Sequence, residues 1–194
     1  FRDMESISMN TTYSVSEDIF QAFPGYRRGV VRVHDMQNGT SAPELVQMLR
    51  TAEVEARRRL QTTELLSWPE IAAWRDAFKA VGTKPSDFRP SVDALLRRVG
   101  RGDTLPSINA VVDIANIISI RHAVPAGAHA TDQVRSHVAL RHALGYEVFS
   151  PFGGGDKETV HAGEIILAEG GCALTRRWTW RQATHTLMVV ESRC

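Results

Sequence analysis

His129 and Asp132 sit three residues apart in a loop that opens at Pro125 and carries Gly127. A loop imidazole with a nearby carboxylate can orient a water or an ester, the carboxylate fixing the ring's tautomer. The same spacing also suits a surface histidine with no role. Just upstream, residues 108–120 are apolar almost all round except for Asn109, Asp113 and Asn116. These recur at i, i+4 and i+7, one stripe of a helix. Buried polar groups cost about 1–3 kcal/mol each unless paired, so the stripe either meets an internal polar network or lines a site. Residues 176–181 read Arg-Arg-Trp-Thr-Trp-Arg. On a strand, Arg176, Trp178 and Trp180 share one face, and Arg177, Thr179 and Arg181 the other. Arg beside exposed Trp stacks a nucleotide and holds its phosphate; alternatively both Trp are core and the Arg face is solvated. Glu164 and Glu191, at expected strand ends, are candidate acceptors for a bound amine or hydroxyl. Arg97 and Arg98, on the polar side of an expected helix, are candidate phosphate contacts.

The elements that must position these residues follow from periodicity. Residues 29–36 alternate and predict a strand. Residues 43–66 predict a helix with Leu45, Leu49, Ala52, Ala56 and Leu60 inward and Arg57, Arg58 and Arg59 solvated. Pro69 opens a second helix through Ala80, with Ile71, Trp74 and Phe78 inward. Ser91 is placed to cap a third, in which Val92, Leu95, Leu96 and Val99 form the buried line. The buried helix 108–120 follows. Strands are expected near 134–140, 145–149, 164–168, 172–180 and 185–191. Helices concentrated in the N-terminal half and strands in the C-terminal half predict an α+β fold with a mixed sheet, residues 1–194 forming one domain.

Composition narrows the chemistry. Net charge is +1, and 20 of the 23 basic residues are Arg, the residue for planar, bidentate phosphate contacts; source codon bias explains the same skew. The two cysteines, Cys172 and Cys194, make neither a disulfide framework nor a metal site, and no metal or cofactor is expected. No membrane-length apolar run and no signal peptide are visible, so a cytoplasmic protein is expected. The opening Phe1-Arg2-Asp3-Met4 reads as a processed end or a cloning scar rather than a native start. No serine-hydrolase elbow, P-loop or zinc-protease motif occurs.

The run from Leu105 through Asn109, Asp113 and Asn116, then Pro125 and His129-Ala130-Thr131-Asp132, resembles the editing domain of the phenylalanyl-tRNA synthetase β subunit, which has an N-x-V-V-D-V-T-N helix and a P-M-H-A-F-D loop. Gly163-Glu164-Ile165-Ile166 and the run from Thr186 to Glu191 are similar too. Residues 89–98 and 175–182 bring the chain closer to freestanding relatives of that domain. The resemblance covers about residues 65–191. His129 lies four positions after Pro125 where the family has two, and Thr131 replaces the loop aromatic. The resemblance implies a mixed α/β module that hydrolyses the ester of mischarged aminoacyl-tRNA, an aminoacyl-tRNA deacylase acting in translation quality control. It implies His129 near the ester, with Asn116 and Glu191 at the substrate, where Glu164 is a further candidate from its strand-end position. Arg97, Arg98, Arg176, Arg177, Trp178 and Arg181 would bind RNA, and the partner would be the aminoacylated 3′ end of tRNA. A non-catalytic tRNA-binding module of the same fold is the alternative.

Overall fold

The computed structural model describes residues 12–192; the expectations about Phe1–Met4 and Cys194 fall outside them. Strand β1 (Tyr13–Val15) and helix α1 (Glu17–Ala22) come first. They are followed by α2 (Pro43–Thr62), α3 (Pro69–Ala80), α4 (Ser91–Gly100) and α5 (Ala110–His122). The strands follow: β2 (Val138–His142), β3 (Val148–Phe149), β4 (Glu158–Thr159), β5 (Ile165–Glu169), β6 (Cys172–Arg176) and β7 (Arg181–Gln182). This is the expected α+β order.

The seven strands form one mixed sheet in the order β1-β2-β5-β6-β3-β4. β1 runs parallel to β2, and β5 runs antiparallel to both β2 and β6. The far edge of β6 is shared. β3 pairs in parallel at Cys172, and β7 returns antiparallel at Thr175 and Arg176.

Three apolar clusters hold these layers. α2, α4 and α5 close on Leu49, Ala52, Ala56, Val92, Leu96, Val99, Ile117 and Ile120, with Trp68 and Ile71. One sheet face buries Val138, Leu140, Ile165, Leu167 and Leu174 against Ile19, Phe78 and Trp178. The other buries Ala143, Phe149, Ile166, Ala168, Ala173 and Ala183. α3 joins helices to sheet, because one face sends Ile71 into the helical cluster and the next turns send Trp74 and Phe78 onto the sheet.

Asn109 and Asp113 turn out to be the fasteners of α5. Asn109 is the N-cap: its side-chain oxygen accepts from the Val112 N–H at 3.0 Å, and its amide donates to the Met188 carbonyl at 2.9 Å. Asp113 accepts from the Ile108 N–H and from the Ser41 and Ser107 hydroxyls. Asn109→Ala removes a cap and leaves the Met188 carbonyl unpaired, so a loss of about 1–2 kcal/mol is expected in urea unfolding. An unchanged midpoint would show the cap to be dispensable.

Several local expectations are corrected. Residues 29–36 form no strand; Val30, Val31 and Val33 are exposed, and no neighbouring strand offers a ladder. Residues 185–191 form a 3-10 turn (Thr184–Thr186) and irregular chain, because side chains take the backbone that a ladder would use: Asn109 holds Met188 and Asn38 holds Val189. β6 stops at Arg176, since Arg177 and Trp178 adopt φ of +44° and +64° and turn the chain. Ser91 is the first residue of α4 rather than its cap, and its N–H donates to the Thr179 carbonyl. α5 is not buried all round: Ile114 and Ile118 are 46% and 43% exposed. Of the arginines expected in solvent on α2, only Arg58 stays there. Arg57 donates to the Val99 and Asp103 carbonyls, and Arg59 lies 3.6 Å over the Trp68 ring while pairing with Glu70.

Candidate active site around His129

The His129 loop begins where α5 stops. Ala123 takes a left-handed conformation (φ 53°) and its N–H bonds back to Ser119, while the Ser119 hydroxyl donates to the Val124 carbonyl at 2.7 Å. The loop is then stitched to the chain after β6. The Ala130 N–H donates to the Thr186 carbonyl at 3.0 Å. The Gln182 amide donates to the Ala128 carbonyl at 3.0 Å and to the Thr186 carbonyl at 2.7 Å.

These contacts set the imidazole between two hydroxyls. His129 Nδ1 lies 2.7 Å from Thr186 Oγ1, a full hydrogen bond, and Nε2 lies 3.4 Å from Thr175 Oγ1, a loose one. The Nε2 side is therefore the one a substrate or water can take over. Burial of the ring, assisted by the charge of Arg28, lowers the His129 pKa from 6.5 to about 4. At neutral pH the ring is uncharged, suited to orienting a water or carbonyl by hydrogen bonding rather than to acting as a strong base.

A pH effect on stability follows. The unfolded histidine takes its proton near 6.5 and the folded one near 4. Between those values the unfolded chain holds more protons, so stability falls as pH drops from about 6.5 toward 4. His129 alone accounts for about 3 kcal/mol of that loss. Urea unfolding at pH 7.5 and 4.5 tests this. The pH-dependent loss should be clearly smaller in His129→Asn, and equal losses in both proteins would overturn it.

The structure redistributes the other sequence-predicted residues. Asp132 is exposed and makes no bond to His129; Thr186 supplies the orienting contact instead. Asn116 is half-buried on α5, about two turns before its C-terminal end, and its side chain makes no hydrogen bond among the described residues. Glu191 is exposed on the turn after Met188. No described contact joins either to His129.

Glu164 and Arg176 are partners of each other. Arg176 grips Glu164 through two nitrogens, at 2.9 and 2.6 Å, and pairs with Glu158 as well. Glu164 also accepts the Arg177 N–H at 2.9 Å. Their side chains are only 5% and 6% exposed. Charges taken this far from water must be paired, so Glu164 as an amine acceptor and Arg176 as an RNA contact are corrected. Trp178 is corrected as well. It is buried with Phe23, Tyr26 and Trp74 at ring separations of 5.0–5.3 Å, and its indole N–H donates to the Tyr26 hydroxyl.

The remaining arginines divide by partner. Arg97 and Arg75 both hold Asp93, which is fully buried. Arg177 lies 3.6 Å over Phe88, whose ring meets Trp180 edge-on. Arg181 lies over Trp180 at 5.3 Å, and Arg98 is exposed with no carboxylate partner among the described residues.

Thr175, Gln182 and Thr186 were not singled out by sequence reasoning. Each is an ordinary polar residue; the pairing of β6 with β7 sets Thr175 opposite Gln182, and the 3-10 turn after β7 brings Thr186 to the loop. Surface depressions of about 450 and 200 Å³ lie beside Arg75–Ser86 and on α2; neither includes His129. Among the described residues, no group of three or more His, Cys, Asp or Glu is placed to hold a metal ion. Among the described residues, no helix is long and apolar enough to cross a membrane.

Comparison with protein families gives a match to the model of the B3/4 domain over residues 73–193. No curated protein and no solved structure matches the chain.

Proposed function

Because the chain belongs to the B3/4 domain family, the domain found in the editing region of the phenylalanyl-tRNA synthetase β subunit, we propose that it is a tRNA-editing module hydrolysing the ester of mischarged aminoacyl-tRNA. The observation that supports this best is His129. It is a neutral imidazole, anchored at Nδ1 and loosely held at Nε2, in a loop that sequence and fold both mark. An aminoacyl ester is labile already, so a site need mainly place a water and polarise a carbonyl. No strong nucleophile is required. Nε2 of His129 would orient the water or the ester, with loop backbone groups and Asn116 at the substrate and Glu191 near the amino acid.

Exposed Arg98 and half-buried Arg181 would hold RNA phosphates and make binding salt-dependent. The chain would act as one unit over residues 1–194, in the cytoplasm where charged tRNA is used. The alternative, a non-catalytic tRNA-binding module, draws support from the hydroxyl at each ring nitrogen, an arrangement that also suits a purely structural histidine. A deacylation time course on a panel of mischarged tRNAs separates the two. Ester loss above the spontaneous rate supports the enzyme. Binding with every ester intact supports the binding module and overturns the hydrolase.

A further inference from the structure

The polar atoms around His129 differ in what they can do with a proton. On the Nδ1 side they are donors. The Gln182 side-chain nitrogen lies 3.0 Å from the Ala128 carbonyl oxygen and 2.7 Å from that of Thr186. Only a nitrogen can sit between two carbonyl oxygens, and both of its hydrogens are committed to them. That nitrogen stands 3.4 Å from His129 Nδ1 and 3.5 Å from Thr186 Oγ1.

Thr186 is the nearer neighbour, its hydroxyl 2.7 Å from Nδ1. The residue is fully buried, so water does not reach that hydroxyl. Among the described residues, the only other polar atom within hydrogen-bond distance of it is the Gln182 amide nitrogen, itself a donor. The Thr186 proton therefore has one acceptor, the lone pair of Nδ1. A proton on Nδ1 instead would strand a buried hydroxyl and point a ring N–H toward an amide N–H. The Nε2 side makes no such demand. Thr175 Oγ1 is 3.4 Å away on a half-buried residue, and a hydroxyl there can donate or accept. A neutral imidazole carries one proton, and the hydrogen bond at one nitrogen decides where it sits.

We propose that Thr186, backed by the Gln182 amide, is a positioning residue that fixes His129 as the Nε2–H tautomer, so that the ring meets the ester as a hydrogen-bond donor to its carbonyl oxygen rather than as a base toward the water. The tautomer stands on the packing alone; the ester as its partner rests on the editing reading above. In the reaction, water adds to the carbonyl carbon and negative charge grows on the carbonyl oxygen, where Nε2–H stabilises it and keeps its proton. The bond from that carbon to the ribose oxygen then breaks. A proton of the attacking water passes through solvent to the ribose oxygen, leaving a free amino acid and an intact tRNA end. Burial supports this division, since it keeps the ring uncharged at neutral pH and a poor base.

The test uses the full chain with isotope-labelled histidine at neutral pH, read by two-bond proton–nitrogen correlation of the imidazoles, with His129 assigned by its loss in His129→Gln. His129 should show a protonated Nε2 and a bare Nδ1. Thr186→Ser, which keeps the hydroxyl, should keep that pattern. Thr186→Val, which keeps the volume and removes the donor, should give the averaged shifts of a tautomer mixture. A protonated Nδ1 in the wild type overturns the assignment, and an unchanged Nε2–H pattern in Thr186→Val overturns Thr186 as its cause. Deacylation of a mischarged tRNA gives the second readout. His129→Gln retains an N–H donor and cannot act as a base, so it should hold a rate about 10-fold above His129→Ala, whereas His129→Glu, with no donor, should not. A glutamine variant no faster than the alanine one overturns the donor role. Esters left intact by a wild type that shows the Nε2–H pattern would overturn the hydrolase reading and leave the tautomer standing.

Discussion

His129→Ala is expected to slow hydrolysis of a mischarged aminoacyl-tRNA by about 100-fold or more, while tRNA affinity stays within about twofold. The expectation comes from how the ring is held. Nδ1 is bonded to Thr186, so the ring plane is set before substrate arrives, and the loose 3.4 Å contact to Thr175 leaves Nε2 able to exchange partners. An interaction made with the reacting ester or its water, and not with the rest of the RNA, lowers the turnover rate rather than binding. Thr186→Val gives a graded control. The ring remains but loses its anchor, so a smaller loss is expected, about 10-fold. Single-turnover rates and filter binding with the same tRNA check both. Full activity in His129→Ala would remove the residue from the mechanism. Loss of affinity together with rate would mean that the ring supports the loop instead.

Arg176→Ala is expected to cost about 3–5 kcal/mol of folding stability. Arg176 is the shared partner of Glu164 and Glu158, and its removal leaves the Glu164 carboxylate buried with only Arg177, 3.8 Å away, facing it. Arg176→Lys should also destabilise, since an ammonium cannot span both Glu164 oxygens. A second substitution separates the pair from its parts. Glu164→Gln on the Arg176→Ala background removes the stranded charge and should recover part of the loss. Urea unfolding with an unchanged slope is the measurement. A change below about 1 kcal/mol in Arg176→Ala would show the pair to be solvated and would reopen Arg176 as an RNA contact.

Much of the fold was legible because helix periodicity is a local property. The inward lines Leu49-Ala52-Ala56 and Val92-Leu96-Val99 recur at helical spacing, and each became a buried face. The polar stripe of α5 was legible for a related reason. Asn109 and Asp113 sit at the start of an apolar helix, where unpaired N–H groups need acceptors, and both serve there. The strands were less legible. Alternation at 29–36 and 185–191 predicts strands equally well, but a strand exists only where another edge pairs with it, and none among the described residues does. The run 176–181 failed for a different reason. Two left-handed residues, Arg177 and Trp178, fold it into a turn, which sends Trp178 into the core and Arg176 onto Glu164.

The same division runs through the site. The sequence by itself determined the α+β class, the family resemblance and the loop histidine, because these rest on spacing along the chain. Only the tertiary structure decided which partners that histidine has. Thr175 and Gln182 meet through the pairing of β6 with β7, and the 3-10 turn that follows brings Thr186 to the ring. It also decided which charges are paired inside the fold. Coulomb pairing in a dry interior consumes Arg176 and Glu164, and leaves Arg98 facing water. Burial and pairing are properties of packed surfaces, and no spacing along a chain encodes them.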